Sequence, residues 1–229
     1  MVKRHIKRLT VPKTWNVTLK ENKYITKHYP AGHPMELSIP LVVMLRDTMK
    51  VARTAKEVLE IIHNKEIYVD NVRVKEIKYG VGLMDVVEIR ALNKFYRLVL
   101  SPAGMLEAVE IPAAEAHVKP MKIIKKSMLK KGKMQINLLD GSNVLSDMKC
   151  SVGDTAVFDV KSKKITDLLA FEAGNYVYLI AGKNIGVRGV IDSINDNIIT
   201  ISTDDGNKLQ TLKEYGMILG KKSPVVHIA

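Results

Sequence analysis

The first fifteen residues, MVKRHIKRLTVPKTW, carry Lys3, Arg4, Lys7, Arg8 and Lys13 and no acidic residue. Removing unpaired charge from water is prohibitive, and the block is too charged for an ordinary amphipathic helix. It is expected to stay outside any core as a solvated, unstructured arm until something anionic covers it. The imbalance extends along the chain, whose 229 residues have a formal net charge of +12 and a pI near 9.6. A pI above 9 with clustered Lys and Arg is the electrostatic footprint of a nucleic-acid binder; the bland alternative is a merely soluble basic protein. Aromatic residues are only 5%, which favours small modules over one large core.

Other classes are disfavoured. Cys150 is the only cysteine, so no internal disulfide forms, in keeping with a reducing compartment. The basic start is not followed by the apolar core of a secretory leader, and an apolar run such as residues 41–45 is far short of a membrane span. His5, His28, His33, His63, His117 and His227 are scattered, and none pairs with Cys150 at metal-ligand spacing. Gly80-Val81-Gly82 lacks the third glycine and the strand–helix setting of a dinucleotide fingerprint. Residues 216–223 imitate a phosphate loop with one intervening residue too few. A non-catalytic protein with no cofactor, metal or small-molecule substrate is expected.

The chain divides by pattern. Residues 1–36 form the arm, with turns at Tyr29-Pro30-Ala31-Gly32-His33-Pro34. From Pro40, which suits a first helical turn, Leu41, Met44, Leu45, Thr48 and Met49 fall on one helical face. Arg46, Lys50 and Arg53 recur on another as a basic stripe; such a stripe is either an RNA-facing surface or a solvated helix face. Thr54-Ala55-Lys56-Glu57 reads as a capping box opening a helix over residues 55–63, with Val58, Leu59 and Ile62 inward. Short strands are expected at 67–69, 72–74 and 86–89, with a turn at Asp70-Asn71. Residues 92–171 read as mostly β. They contain an acid-free basic run of Lys119, Lys122, Lys125, Lys126, Lys130, Lys131 and Lys133, which either guards a strand edge or contacts phosphate. A last β segment spans 172–213, with glycines at 174, 182, 186 and 189 around β-branched strands, and 214–229 is a terminal strand or tail. The fold class expected is α+β, mostly β.

Trp15 has two readings: it stacks on an RNA base, or it anchors the arm on the folded body. The anchor is the preferred one.

Several of these stretches resemble known families. Two short helices, then strands and the run Gly82-Leu83-Met84-Asp85-Val86-Val87-Glu88-Ile89, resemble the S4-type RNA-binding domain. In that module, Gly-Asp usually stands where this chain has Met84-Asp85. Gly182-Lys183-Asn184-Ile185-Gly186-Val187-Arg188-Gly189 resembles the KOW motif of small SH3-like barrels. His5-Ile6-Lys7-Arg8-Leu9, Pro12-Lys13 and Trp15 resemble the opening of the S4e family of archaeal and eukaryotic small-subunit ribosomal proteins. Arm (1–36), S4-type domain (37–91), central β domain (92–171), KOW barrel (172–213) and terminal segment (214–229) occur in that family's order. The short C-terminus fits an archaeal member.

The resemblance implies a structural constituent of the small ribosomal subunit, cytoplasmic, with ribosomal RNA and neighbouring ribosomal proteins as partners and no membrane. It implies RNA contacts from Lys3, Arg4, His5, Lys7, Arg8, Lys13 and Trp15 in the arm and from Arg46, Lys50, Arg53 and Lys56 in the S4-type domain. Further contacts would come from Lys122, Lys125 and Lys126 in the central domain and Lys183 and Arg188 in the barrel. Gly174, Gly182, Gly186 and Gly189 would be structural. The alternatives are an accessory of an RNA-modifying enzyme and a KOW-type transcription or RNA-processing factor.

Overall fold

The computed structural model of the protein describes residues 5–18, 20–64, 66–146, 148–204 and 206–228, with Lys131 described by its main chain alone. The fold is α+β and mostly β. It forms two compact units: Met1–Leu100 with Gly104–His117, and Ser101–Ala103 with Val118–Ala229.

In the first unit the expectation of a free arm is corrected from residue 5 onward. Strands His5–Lys7 and Tyr24–Thr26 pair as an antiparallel hairpin with Ile6 opposite Ile25. Val11, Trp15 and Ile25 are buried. The Trp15 indole N–H donates to the Ser38 carbonyl at 2.6 Å, the Thr14 hydroxyl to the Glu36 carbonyl at 2.6 Å, and the Leu106 N–H to the Thr14 carbonyl at 2.7 Å. The charges do stay in solvent, at the exposed Lys7 and Lys13. Three apolar residues with no regular period turn inward between them, and a charge count cannot register these. Trp15 is therefore an anchor.

The first predicted helix is also shorter than its pattern suggests. Strand Ser38–Pro40 pairs with Gly80–Gly82, then an α-helical turn, Leu41–Val43, runs directly into a π-helical turn, Met44–Thr48. The wider turn is closed by Met49 N–H to the Met44 carbonyl at 2.8 Å, and Lys50 follows with φ of 55°. Arg46, Lys50 and Arg53 thus do not share a helix face. Residues 38–45 are all buried, so this segment has no polar side from which to read a helical phase. The second helix, Ala55–His63, starts at the predicted cap: the Thr54 hydroxyl accepts the Glu57 N–H at 3.3 Å. The Glu57 carboxylate reaches past Thr54 to the Arg53 N–H at 2.8 Å. Val58 and Ile62 face inward, whereas Leu59 is exposed.

A five-stranded antiparallel sheet completes the unit, in the spatial order Val72–Arg73, Ile67–Val69, Val86–Ile89, Lys94–Leu100 and Leu106–Ile111. The tight turn at Asp70-Asn71 has φ of 48° and 60°, as a two-residue hairpin turn requires. Met84, where the resembled module has glycine, is fully buried at φ 66°. Asp85 holds this corner: one carboxylate oxygen accepts the Gly82 N–H at 2.7 Å, and the other lies 3.0 Å from His33 Nε2.

The second unit has two five-stranded antiparallel sheets. One is ordered Asn143–Leu145, Met134–Leu138, Val118–Met128, Thr155–Asp159, Lys164–Leu169, and the other Lys208–Leu212, Ile198–Thr203, Arg188–Asn195, Tyr176–Leu179, Gly216–Gly220. In the second sheet the outermost strands, Lys208–Leu212 and Gly216–Gly220, are joined only by the 3₁₀ turn Lys213–Tyr215. Crossing a flat sheet would take four spacings of about 4.8 Å each. Three residues of 3₁₀ helix advance only about 2 Å each, so the sheet must curl until its edges approach. The two sheets share one core, in which Val157 and Leu169 meet Val177, Leu179, Ile191, Ile199, Ile201 and Ile218.

Two glycines are required by this packing. A Cβ on Gly189 would lie 2.1 Å from the Ser202 carbonyl oxygen, and one on Gly186, which has φ of 83°, would lie 1.9 Å from the Ser101 carbonyl oxygen.

Candidate nucleic-acid interface

The hairpin and the π-helical turn enclose a cleft of about 770 Å³ in the first unit. One wall comes from the arm: Asn16, Val17, Thr18, Glu21, Asn22, Tyr24, Ile25 and Thr26. The other is Arg46, Asp47, Lys50, Ala52 and Arg53. The basic residues predicted from residues 46–53 are thus brought together, but around a cleft instead of along a helix.

Their charges are not equivalent. Arg46 makes a fork to the neighbouring carboxylate, Nε to Asp47 Oδ1 at 2.6 Å and Nη2 to Asp47 Oδ2 at 2.8 Å. Asp47 raises the guanidinium's pKa and offsets much of its field. Lys50 and Arg53 are exposed, and among the described residues neither side chain forms an ion pair. The exposed cations of the cleft are therefore Lys50 and Arg53, with the Glu57 carboxylate near Arg53. Lys56 is exposed on the first turn of helix Ala55–His63.

In the arm, Lys3 and Arg4 lie outside the described residues. His5, Lys7 and Lys13 are exposed. Arg8 instead braces the arm itself. Its Nη2 donates to the Val17 carbonyl at 2.6 Å and its Nε to the Thr18 carbonyl at 3.2 Å, tying off the hairpin loop. Trp15, at 3% exposure, presents no free ring face for a base. The aromatic residue that does face the cleft is Tyr24, which patterning along the chain does not single out. The available signal is the interleaving of Lys20, Lys23 and Lys27 around it.

In the second unit the lysine run splits. Lys119 is buried 3.4 Å from Asp140, and Lys122 is buried with its ammonium donating to the Glu214 carbonyl at 2.6 Å and the Gly216 carbonyl at 2.7 Å. Burial pushes the Lys122 pKa down to about 8. Lys122 is thereby corrected from an RNA contact to an internal strut, because the strand Val118–Met128 is covered at its start and open only from Ile124 onward. Lys125 and Lys126 are exposed, and the Lys126 ammonium donates to the Cys150 carbonyl. Lys183 is exposed and Arg188 half-buried. Gly174 opens onto free space at φ 85°, while Gly182 faces the Tyr215 ring.

Among the described residues, no group of three or more His, Cys, Asp or Glu side chains is arranged to hold a metal ion, and no helix is long and apolar enough to cross a membrane.

Residues 92–165 match the family model described as ribosomal family S4e. The chain is 34% identical over 228 residues to the small ribosomal subunit protein eS4 of Methanocella arvoryzae, covering 97% of this chain and 96% of that one. It is 36% identical over 248 residues to the eS4 protein of Methanopyrus kandleri, covering 99% and 95%. Its fold is similar to the crystal structure of the 30S ribosomal protein S4e from Thermoplasma acidophilum, with a TM-score of 0.70, 28% identity, and coverage of 81% of this chain and 96% of that one.

Proposed function

The chain belongs to ribosomal protein family S4e, and from that premise we propose that it is a structural, non-catalytic constituent of the small ribosomal subunit, binding ribosomal RNA in support of translation. Its place is on the cytoplasmic ribosome, among small-subunit RNA and adjoining ribosomal proteins. The observation that carries the RNA reading is the cleft whose lining holds two exposed cations with no side-chain ion pair, Lys50 and Arg53. Phosphate neutralisation is what such a rim does best.

The finer assignments rest on the same ground. Residues 37–91 act as an S4-type RNA-binding domain, supported by the helical turn at Leu41–Val43, the capped helix Ala55–His63 and the strands that follow. Residues 172–213 act as a KOW-type SH3-like barrel, supported by the curl of the sheet and the closely packed Gly186 and Gly189. The arm, Lys125, Lys126, Lys183 and Arg188 add further cations on or near the surface.

Two measurements test the reading. Mass spectrometry of purified small subunits should find the protein in stoichiometric amount; enrichment on polymerase or on precursor RNA alone would overturn the ribosomal assignment. Binding to a small-subunit ribosomal RNA transcript should weaken steeply with salt. Replacing Lys50 and Arg53 together by alanine should flatten the log–log slope by about 1.4–1.8, at about 0.7–0.9 for each phosphate no longer neutralised. Replacing Arg46, already paired with Asp47, should change it less. An unchanged slope in the double variant would leave the rim a solvated face.

A further inference from the structure

Tyr24 stands in a setting that phosphate binding does not explain. In the strand Tyr24–Thr26 only Ile25 points inward, which leaves the Tyr24 ring on the outer face at 50% exposure. A solitary exposed tyrosine is ordinary. This one, however, packs against a second ring and carries a lysine ammonium beside it. The His5 and Tyr24 rings pack T-shaped, with centroids 4.9 Å apart and planes at 76°. The Lys23 ammonium lies 5.6 Å from its centroid. Tyr24 lines the same cleft as Lys50 and Arg53, together with Asn16 and Asn22.

A flat π-face, side-chain amides and rim cations are the three elements that recognise an unpaired base: stacking, hydrogen bonding to the base edge, and charge on the flanking phosphates. A duplex offers no free base face to such a ring. The cleft also falls within the range of about 300–1,000 Å³ typical of small-ligand sites. Its two carboxylates are already engaged, Asp47 by Arg46 and Glu21 by the Thr18 hydroxyl at 2.5 Å. Of the lining cations, Lys50 and Arg53 are the exposed ones with no side-chain ion pair, and phosphates go to them. The backbone at this rim is itself unusual. Lys50 is held at φ 55° behind a π-helical turn, a geometry that costs energy and concentrates at ligand-binding positions.

We propose that this cleft receives a single unpaired RNA nucleotide, its base stacked on Tyr24 and its flanking phosphates held by Lys50 and Arg53. The inference rests on the RNA-binding function proposed for the chain and adds the class of RNA element bound: a bulged, looped or junction nucleotide.

The test uses the full chain, a small-subunit ribosomal RNA transcript and a series of salt concentrations. The variants are Tyr24→Leu, which keeps an apolar side chain in the hairpin, Tyr24→Phe, and the Lys50→Ala/Arg53→Ala pair, each checked by circular dichroism and thermal melting. Tyr24→Leu should weaken binding roughly 5- to 150-fold, the range for one base stacked on an aromatic ring. Its salt slope should match that of wild type, because every phosphate keeps its cation. Tyr24→Phe should bind within about twofold of wild type, since the ring is what acts. Tyr24→Leu binding at full strength while the double variant weakens and flattens would overturn the stacking proposal and leave the RNA reading intact. Wild-type binding and slope in all variants would overturn both. A loss in Tyr24→Phe as large as in Tyr24→Leu would also overturn the proposal, assigning the effect to the hydroxyl. If Tyr24→Leu does not fold, the decision passes to Tyr24→Phe and to quenching by wild-type protein of a 2-aminopurine placed in unpaired positions of the transcript; absence of quenching there overturns the proposal.

Discussion

Replacing Lys122 by methionine separates a buried strut from an RNA contact. The Lys122 ammonium donates two short hydrogen bonds, to the carbonyls of Glu214 and Gly216, and the residue is only 8% exposed. Hydrogen bonds to a charged group contribute about 1.5–3 kcal/mol each. Opposing them is the desolvation that lowers the pKa from 10.5 to about 8, with the neighbouring Lys213 lowering it further and Glu214 raising it. That shift corresponds to roughly 3 kcal/mol of differential destabilisation of the ammonium. At pH 7 the net loss in Lys122→Met should therefore be modest, about 0–3 kcal/mol.

The pH dependence is the sharper readout. The unfolded chain holds the lysine proton more tightly than the folded chain, so this group makes stability rise with pH between about 8 and 10.5. From pH 7 to pH 10 the wild type should gain about 2–3 kcal/mol relative to Lys122→Met; groups that titrate alike in both proteins cancel in this difference. Urea unfolding of both proteins at the two pH values measures it, and RNA affinity at pH 7 should be unchanged by the substitution. A stability difference that stays constant with pH, or an RNA affinity that falls with its salt slope, would refute the strut.

Trp15, the only tryptophan, should emit at short wavelength and resist iodide quenching in the free protein before any RNA is added; a solvent-exposed spectrum would restore the unstructured arm. Trp15→Ala should lower stability by about 3–5 kcal/mol in urea unfolding, the usual loss for a buried tryptophan. Gly189→Val should prevent the second unit from folding, seen as loss of a cooperative transition, because the added side chain meets the Ser202 carbonyl; a folded variant defective only in RNA binding would contradict this. Thr54→Ala should cost about 1 kcal/mol of stability through removal of the helix cap, measured by thermal melting, and leave the salt slope of RNA binding unchanged.

Features set by short-range chemistry were legible in the sequence. The Thr54 cap, the Asp70-Asn71 turn and the mostly β character follow from local hydrogen bonding and from β-branched residues between turn signals. The family resemblance was legible for a related reason: the basic opening and the Gly-rich segment occur in a fixed order along the chain. Net charge pointed toward an anionic partner without excluding a merely soluble basic protein, because clustered cations are costly to bury and raise the local positive potential.

Tertiary structure decided which of those charges are available. Lys119 and Lys122 read like their neighbours Lys125 and Lys126, yet the first two are buried because Val118–Met128 is covered over its first half and open at its end. The periodic stripe at Arg46, Lys50 and Arg53 suggested a helix, but the backbone takes a π turn at Met44–Thr48 and a left-handed conformation at Lys50, which takes the three off a common face. Trp15 and Tyr24 are both aromatics among lysines, and only the fold assigns one to the core and the other to the cleft. A sequence states which groups need burial or a partner; which neighbour meets that need depends on contacts between residues far apart in the chain, such as Trp15 with Ser38 and Lys122 with Gly216.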